Sequence, residues 1–428
     1  MSKSYLCLIG AAGLALCSSA GNAADFDGVC MTAPLKNQQS ADSIVVRVSN
    51  EPELQQALVS ARKGSVIVLA AGEYKLTSTL WIKTDNVTIR GDSNRCDDVV
   101  LVGKGMEVIE GQYSVPHGIW TNAAKTRIQN LTIKNIYHHA ISIDASAAAP
   151  EIYNVRMIDT GEQFVKSNTL GFGNGVDNGM MEYSTMLYSA SPPHTDHGGG
   201  SGYTGGISLH AGNNWLISNN RFENFHTPDT AENLWNPAVL IWNGAANSIV
   251  ENNQFVDVDR AIAFGLVNRP GDHSGGIIRN NMIAMRPNLF SRIRKLSSDA
   301  AILVWSSPST HVLHNTVITN GNTNNAIELR YDSSGAVVRN NLVDESIVAS
   351  DYNMVQIKGN ISHNGSEIFR NILSADLHLK SAVTGISGVA PLLENAAKDF
   401  DGDSRGNGSL FTAVGADEYR LAGNIDSQ

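Results

Sequence analysis

The chain has 428 residues, of which 42% are hydrophobic and 17% are charged, and this composition excludes an intrinsically disordered protein. Its 41 acidic and 31 basic side chains give a formal net charge of −10, which argues against nucleic-acid binding through phosphate contacts. Four cysteines in a chain of this length exclude a disulfide-built miniprotein, and their spacing fits no zinc finger.

The first 23 residues predict a secretory signal peptide. Lys3 precedes an apolar run from Leu6 to Leu16, which is too short to cross a bilayer. The small residues of Gly21-Asn22-Ala23 fit a cleavage site, so residues 1–23 are predicted to be removed. No later segment is long and apolar enough to form an anchor. We therefore expect a secreted monomer, in the periplasm or outside the cell.

The cysteine count predicts one disulfide. Cys7 and Cys17 lie in the predicted signal peptide, which leaves Cys30 and Cys96 in the mature chain. In an oxidising compartment these two most simply pair, and two free thiols are the alternative. The bridge would tie the N-terminal segment to the first strand region, stabilising the fold by about 4 kcal/mol in the chain-entropy picture.

One segment near the N-terminus has clear helical periodicity. Residues 51–63 place Leu54, Leu58 and Ala61 on one face, as expected for an amphipathic helix. We predict that this helix caps the structure that follows, within an N-terminal segment of residues 24–64. The first coil then begins with the apolar run at Ser65.

Beyond residue 65 the chain consists of irregular repeats that contain short period-two segments. An Asn followed by alternating apolar residues recurs at intervals of 24 to 34 residues, with one longer interval of 66. A second apolar segment lies between each consecutive pair of these Asn residues. The Asn positions are Asn130, Asn154, Asn220, Asn253, Asn281, Asn315 and Asn341, and the second segments begin at Ala140, Gly206, Ala238, Ala261, Ala301 and Ala326.

This pattern predicts an all-β, single-stranded right-handed parallel β-helix over residues 65–372. Each coil would place its alternating apolar residues in a central column, which no coil can bury alone. The recurring Asn side chains are predicted to stack at an inner turn and hydrogen bond along the column. Residues 373–428, where the repeat fades, are predicted to form a loop-rich C-terminal closure.

Several of these features also carry a family resemblance. Gly72-Glu-Tyr at the first coil, the Asn ladder, and the tail with Asp399-Phe-Asp-Gly-Asp403 and Gly415-Ala-Asp-Glu resemble secreted right-handed parallel β-helix proteins of the pectate-lyase-like superfamily. The resemblance covers roughly residues 45 to 420 and implies the fold. That superfamily includes polysaccharide lyases, glycoside hydrolases, uronan epimerases and non-catalytic members, and the chain lacks the signature motifs of its pectate lyases, galacturonases and alginate epimerases.

The alternation also predicts which side chains point outward from the second strand of each coil. Neighbouring coils are about 4.8 Å apart, so these side chains would form a continuous stripe. The predicted outward pairs are Trp120/Asn122, Ser142/Asp144, Ser208/His210, Leu240/Trp242, Ala263/Gly265, Leu303/Trp305, Glu328/Arg330 and Gln356/Lys358. Lys166 joins the stripe if its strand is in register, and a slip of one residue would turn it inward at a high cost.

The predicted stripe resembles a groove for an acidic polysaccharide. Trp120, Trp242 and Trp305 would stack on sugar rings, and Asp144, Glu328 and Lys358 would line the groove. The alternative is that loops cover this face and bury the tryptophans.

β-Elimination on a uronate requires a neutralised carboxylate, a base for the α-proton and a proton for the leaving oxygen. We predict that Lys166 or His210 is the base and that Arg330, or a calcium ion near Asp144, neutralises the carboxylate. Calcium is the one cofactor considered. Hydrolysis is disfavoured, because Asp144 and Glu328 are at least five coils apart.

The leading hypothesis is therefore a secreted polysaccharide lyase. A non-catalytic glycan-binding protein, a glycoside hydrolase and a uronan epimerase are the alternatives.

Three further motifs remain open. His194-x-Asp-His197 has a weak metal-binding pattern, but its glycine-rich surroundings favour a lid over the groove. Arg269 and His273 are expected to reach the edge of the stripe. Asp399, Asp401 and Asp403 alternate as calcium ligands do, and a plain Asp/Gly turn explains them equally well.

Overall fold

Three ladders of short parallel strands run along the molecule and enclose one elongated apolar core. The computed structural model describes residues 29–36, 44–107, 114–350, 354–406 and 408–420. The predicted signal peptide lies outside the described residues. In proteins, the connections between parallel strands of one sheet are right-handed almost without exception, which agrees with the right-handed β-helix predicted from the sequence.

One ladder is a ten-stranded parallel sheet, and it contains every second segment predicted from the repeat. In chain order its strands are β1 (Leu80–Ile82), β2 (His117–Thr121), β3 (His139–Ile143), β4 (Gln163–Ser167), β5 (Gly205–His210), β6 (Pro237–Trp242), β7 (Arg260–Phe264), β8 (Ala300–Trp305), β9 (Asn325–Arg330) and β10 (Ser346–Ala349).

The other two ladders form a 21-stranded sheet, called here the large sheet, because two ten-residue strands bend and belong to both. The first ladder is Ile44–Val48, Ser65–Leu69, Thr88–Gly91, Arg127–Ile136, Glu151–Thr160, Met180–Glu182, Leu216–Ser218, Ile249–Glu251, Ile277–Arg279, His311–Leu313, Val337–Arg339 and Gln356–Lys358. The second ladder shares Arg127–Ile136 and Glu151–Thr160 and adds Gly72–Lys75, Val99–Val102, Thr185–Leu187, Arg221–Glu223, Gln254–Val256, Met282–Ala284, Thr316–Ile318, Leu342–Val343 and Ile361–Ser362.

The structure also contains smaller elements outside these ladders. The short strand pairs are Thr169–Gly171 with Asn174–Gly175, Ala245–Ala246 with His273–Ser274, Phe369–Asn371 with Asp376–Leu379, and Ala390–Pro391 with Phe411–Thr412. The helices are α1 (Glu51–Val59), α2 (Arg292–Leu296) and two 3-10 turns at Ile372–Ser374 and Glu394–Ala396. None of the described helices is long and apolar enough to cross a membrane.

The predicted Asn ladder is present along the core, and all of its members except the last, Asn360, are buried. The Asn281 amide donates to Asn315 Oδ1 at 2.9 Å, and Asn281 Oδ1 accepts from the Asn253 amide at 3.0 Å. The same bond repeats from Asn220 through Asn360, whereas Asn130 and Asn154 form a separate pair. Each rung also receives a backbone N–H, so the ladder fixes the register between coils.

The residue before most rungs explains the recurring Asn-Asn pairs. Asn252, Asn280 and Asn340 have φ angles of 55°, 53° and 57°, in the left-handed region. Asn is one of the few residues with a side chain that occupies this region readily. The first Asn of each pair therefore turns the chain, and the second bonds along the ladder.

In chain order, helix α1 comes between the first two strands of the large sheet. Leu54 and Leu58 are buried in the core, and the Asn50 side chain accepts from the Glu53 N–H at 3.0 Å as an N-cap. The helix ends at Val59, four residues before the end of the periodic segment. The repeat pattern did not predict the strand Ile44–Val48, which pairs with Ser65–Leu69 and comes before the helix.

The predicted disulfide is confirmed. Cys30 and Cys96 are bonded, with their Cα atoms 5.8 Å apart. The N-terminal segment then follows the outer face of the large sheet, where Lys36 forms ion pairs of 3.1 and 3.0 Å with Glu151 and Glu182. The bridge and these ion pairs hold residues 29–36 against the coils.

The C-terminal segment packs along the flank of the large sheet. Phe369 and Leu377 are buried against outward apolar side chains of several coils, including Ala284 and Ile318. Arg405 is almost fully buried beneath this segment, where it donates to Asn280 Oδ1 at 2.9 Å. A second, smaller apolar cluster therefore joins the segment to the β-helix.

We predict that Asn281→Ala lowers the free energy of unfolding by about 3 kcal/mol, because it leaves buried donors and acceptors of the adjacent rungs unsatisfied. Urea unfolding followed by circular dichroism measures this. Asn364→Ala, at an exposed Asn, should change it by less than about 0.5 kcal/mol. Equal effects of both substitutions would contradict a stabilising ladder.

Candidate functional site

The outward side chains of the ten-stranded sheet form the predicted stripe. Strand register places Lys166 directly between Ser142 and Ser208, and it pairs His210 with Trp242 and Trp305 with Arg330. The outward orientation of Lys166 is therefore confirmed. His210, Trp242, Trp305 and Arg330 lie on one face, as the sequence predicted.

The predicted position of Lys358 was wrong. Lys358 pairs with Arg339 in the large sheet, and the strand beside β9 is β10, whose Val348 lies next to Glu328. The repeat pattern missed β10 because Ser346-Ile-Val-Ala lacks the Ala-Ile-x-apolar pattern of the earlier coils. Lys358 is exposed on another face and does not belong to the stripe.

Lys166 and His210 form a close pair at the centre of the stripe. Lys166 Nζ lies 2.9 Å from His210 Nε2 and 3.5 Å from Ser208 Oγ. Since a protonated lysine amine can only donate, the imidazole nitrogen accepts this bond in that state. The two residues are 44 positions apart in sequence and are joined only by the stacking of β4 on β5.

The surroundings of the pair shift both pKa values downward. Burial lowers the pKa of Lys166 to about 8, against the opposing effect of the nearby Glu162 carboxylate. Burial, followed by the positive charges of Lys166 and Arg269, lowers the pKa of His210 to about 4. At neutral pH the imidazole is therefore neutral, and the uncharged fraction of Lys166 grows as the pH rises through 8.

A pocket of about 230 Å³ opens on the same face, beside this pair. Its floor includes Ser208, Leu240 and Trp242. One wall is formed by Tyr203, at the end of the glycine-rich loop that contains the His194-x-Asp-His197 motif. The Asn233 side chain donates to the Gly199 carbonyl at 2.8 Å, so the loop is tied to the segment that forms the next wall. The loop thus borders the groove in this structure.

Aromatic and basic groups lie beside the pocket, around Trp242. The Trp242 ring meets the His210 ring edge-on, with centroids 4.6 Å apart. The Arg269 guanidinium lies 5.6 Å from the centre of the Trp242 ring and 4.9 Å from that of Phe172, whose side chain is 55% exposed. Asp272 accepts from Arg269 Nε at 2.7 Å and holds the guanidinium in place. Arg269 therefore reaches the stripe as predicted.

His273 is placed differently from the expectation. Its side chain is fully buried against Phe264 and hydrogen bonds Ser307 at 2.7 Å. The short strand His273–Ser274 pairs with Ala245–Ala246, which turns this histidine toward the core. It does not contact the stripe.

The far end of the stripe is covered, which corrects the predicted roles of three residues. Trp305 is only 7% exposed and packs against Tyr331, while Glu328 is 4% exposed. Arg330 donates to Glu328 at 2.7 Å and stacks over Trp305 at 4.4 Å. Arg330 also lies five strands from Lys166, about 24 Å at the usual strand spacing. The two cannot act on one sugar residue.

The N-terminal end of the stripe is more open. Trp120 packs against Trp81, with centroids 4.7 Å apart, and Trp81 is 43% exposed. The repeat pattern predicted Trp120 but not Trp81, although Leu80-Trp-Ile has the same alternation. Asp144 lies on the stripe and accepts from the Ser146 N–H at 3.0 Å.

A cluster of histidines at the beginning of β2 to β4 was not predicted. Glu162 accepts from His138 at 2.9 Å and lies 3.4 Å from His139, whose ring stacks on His117. His197 lies edge-on to His138. The consecutive His138-His139 pair was the only sequence signal, since the cluster depends on strand register. Glu162 links this cluster electrostatically to Lys166.

The side chains of the His194-x-Asp-His197 motif do not converge. His194 contacts Ser191, the Asp196 carboxylate accepts from the N–H groups of Gly198 and Gly200, and His197 contacts backbone carbonyls. The motif therefore shapes the loop instead of assembling a ligand set.

No protein-family model and no curated protein matches the sequence. Among solved structures, the pectate lyase Pel9A has a TM-score of 0.50 and 11% sequence identity, over 91% of this chain and 99% of that one. A tailspike protein of E. coli bacteriophage HK620, in complex with a pentasaccharide, has a TM-score of 0.49 and 13% identity, over 72% and 56%. An alginate lyase from Paenibacillus sp. str. FPU-7 has a TM-score of 0.45 and 16% identity, over 74% and 98%. At these identities the similarity to the pectate lyase shows the fold alone.

We expect the amine of Lys166 to titrate near pH 8, instead of near its ordinary value of 10.5. Acetic anhydride labelling at increasing pH, followed by peptide mass spectrometry, measures the midpoint. Glu162→Gln should move the midpoint further down, because it removes a negative charge that favours the ammonium form. A midpoint above 10 in the unmodified chain would show that the amine is not desolvated.

Proposed function

We propose that this right-handed parallel β-helix protein is a secreted polysaccharide lyase that cleaves an acidic, uronate-containing polysaccharide by β-elimination. One observation carries the proposal. Lys166 is a desolvated amine, 2.9 Å from a neutral imidazole, on the outer face of the ten-stranded sheet beside the pocket and Trp242. Such a group is suited to removing a proton near neutral pH.

Lys166 is the proposed base. Its uncharged amine takes the proton on the carbon next to the uronate carboxylate, and the electrons of that C–H bond move toward the carboxylate. His210 Nε2 accepts a hydrogen from Lys166, so the lone pair of the uncharged amine points away from the imidazole. His210 thereby positions the base instead of competing with it for the proton, since its own pKa is lowered to about 4, chiefly by burial.

Arg269 is proposed to neutralise the substrate carboxylate, the role that sequence reasoning gave to Arg330. Arg269 lies on the same edge of the groove as His210 and Trp242, and its positive charge contributes to the lowered pKa of His210. Its partner Asp272 is fully buried and fixes the guanidinium before substrate arrives. A preorganised cation of this kind stabilises the charge that develops on the carboxylate.

Tyr203 is proposed to protonate the leaving oxygen. It lines the same pocket as Ser208, and burial raises the pKa of its phenol, so the hydroxyl stays protonated at neutral pH. The bond between the next carbon and the leaving oxygen breaks, and that oxygen takes the tyrosine proton. The product carries a new double bond in the sugar beside the cleaved linkage.

Binding of a chain of sugars is assigned to the aromatic residues along the stripe. Trp242 beside the catalytic pair and the Trp81/Trp120 pair toward the N-terminal end offer apolar ring faces. Secretion is supported by the Cys30–Cys96 disulfide, which is typical of an oxidising compartment.

The decisive assay is incubation of the purified protein with a panel of uronans, with and without calcium, while ultraviolet absorbance reports new unsaturated ends. We expect Lys166→Ala to lower kcat by about 10²- to 10⁴-fold. Lys358→Ala is the matched control, because Lys358 lies in the large sheet and should leave the rate unchanged. Equal activity of the two variants would contradict the assignment of the base.

Substitutions of Trp242 and Trp305 should distinguish a tryptophan that binds substrate from one that stabilises the fold. We expect Trp242→Ala to raise KM severalfold with little change in thermal stability, because Trp242 is half-buried at the groove. Trp305→Ala should lower the free energy of unfolding by about 3 kcal/mol and leave KM nearly unchanged. Steady-state kinetics and calorimetry on both variants measure these effects, and a larger KM effect for Trp305→Ala would restore it to the groove.

A non-catalytic glycan-binding protein is the second candidate, favoured by Trp81, which is 43% exposed and lies three strands from Lys166. Glycan-array binding that persists in Lys166→Ala, with no product from any uronan, would establish it in place of the lyase.

A further inference from the structure

We propose that His378, Asp401 and Asp417 bind a divalent transition-metal cation in the C-terminal segment, away from the ten-stranded sheet. His378 belongs to the strand Asp376–Leu379, Asp401 follows in the Asp/Gly turn, and Asp417 lies just beyond the strand Phe411–Thr412. The aspartates are part of the Asp-rich tail motif, which the proposed function does not use. The site is independent of the groove.

The three side chains converge on one point. Their candidate ligand atoms all lie within 4.8 Å of one another, and no other group of His, Cys, Asp or Glu side chains in the described part of the chain meets this criterion. Nitrogen and carboxylate ligands bind such a metal at about 2.0–2.2 Å, which places ligand atoms roughly 3 to 4.4 Å apart. Small side-chain rotations therefore suffice to bring the three ligand atoms within bonding distance of one ion.

Two of the ligands are already held in place. The Asp376 carboxylate accepts from His378 Nδ1, which leaves Nε2 facing Asp401 at 3.3 Å. A carboxylate on the second ring nitrogen is the usual support of a metal-bound histidine. Asp417 is 7% exposed, and its Oδ2 accepts from the Leu379 N–H at 2.7 Å. The Asp376 carboxylate and the Leu379 N–H, which are not themselves ligands, thus fix the orientation of His378 and Asp417.

The local charge favours a cation. Three carboxylates, from Asp376, Asp401 and Asp417, surround one imidazole, and the buried Asp399 lies beside them. Two arginines oppose this charge: Arg370 acts electrostatically on Asp401 and Asp417, and Arg405 acts on Asp399 and Asp417. Arg405 donates its hydrogen bonds to the carbonyls of Gly415 and Ala416 and to an asparagine side chain. A proton on His378 adds one positive charge to this group, whereas a divalent ion adds two.

The composition of the site indicates the class of ion. One imidazole with carboxylates suits Zn²⁺ or Mn²⁺, whereas Ca²⁺ prefers a larger set of oxygen ligands. The Asp401 side chain is 54% exposed, which gives an ion and its remaining water ligands a path from solvent. A bound ion would cross-link the strand Asp376–Leu379 to the turns at Asp401 and Asp417, and so stabilise the C-terminal segment.

The test uses the full untagged protein after dialysis against EDTA. Calorimetric titration with ZnCl₂ should give one site per chain that depends on these residues, and Zn²⁺ should raise Tm because it binds only the folded chain. Asp401→Asn should weaken this binding by at least about tenfold. Asp403→Asn is the matched control: Asp403 lies two residues away, is also 54% exposed and forms an ion pair with Arg420.

Both aspartates are largely exposed, so neither variant is expected to unfold, and equal Tm values without metal would verify this. A wild-type Tm that does not respond to Zn²⁺ would overturn the site and leave His378 as a protonated partner of Asp376 and Asp401. Equal Zn²⁺ affinity of the two variants would also overturn it. A rise in Tm with CaCl₂ equal to that with ZnCl₂ would overturn the assignment to a transition metal.

Discussion

Register between coils is the constraint on which the rest of the structure depends. A strand directs alternate side chains to opposite faces, so a slip of one residue would exchange the core with the surface. In this molecule the slip is prevented at the inner turn, where the side-chain oxygen of each buried Asn accepts from both the side-chain amide and the backbone N–H of the Asn in the preceding coil. The apolar column can then stack without interruption, and each coil completes the core of its neighbours.

The same constraint decides what chemistry the outer face can perform. Residues far apart in sequence meet when they occupy the same position in adjacent coils, as Lys166 and His210 do. Residues in distant coils cannot meet, because each strand adds about 4.8 Å. Arg330 is therefore separated from Lys166, whereas Arg269, which comes from a turn, lies beside Trp242 and so near His210.

Loops and turns exclude water from the outer face of the sheet, which the strands alone leave open to solvent. The regular strands fix where Lys166 and His210 lie, but the turns and loops beside the sheet remove water from them, and burial is the main cause of both lowered pKa values. Loops and turns also cover the far end of the stripe, where Trp305 becomes part of a small apolar cluster. Part of the predicted groove is therefore closed, and the remaining groove is shorter than the stripe.

The alternation of apolar residues and the recurring Asn determined the fold and the outward face, because both patterns are local and repeat in every coil. They left the register of Lys166 open by one residue, and the pairing of its strand decided it. The cysteine count indicated the disulfide in the same way. Only the tertiary structure decided that Lys358 leaves the stripe, that Glu328 pairs with Arg330, and that histidines cluster around Glu162. These outcomes depend on the length of individual turns and on how loops pack over the sheet, and a repeat pattern carries no information about either.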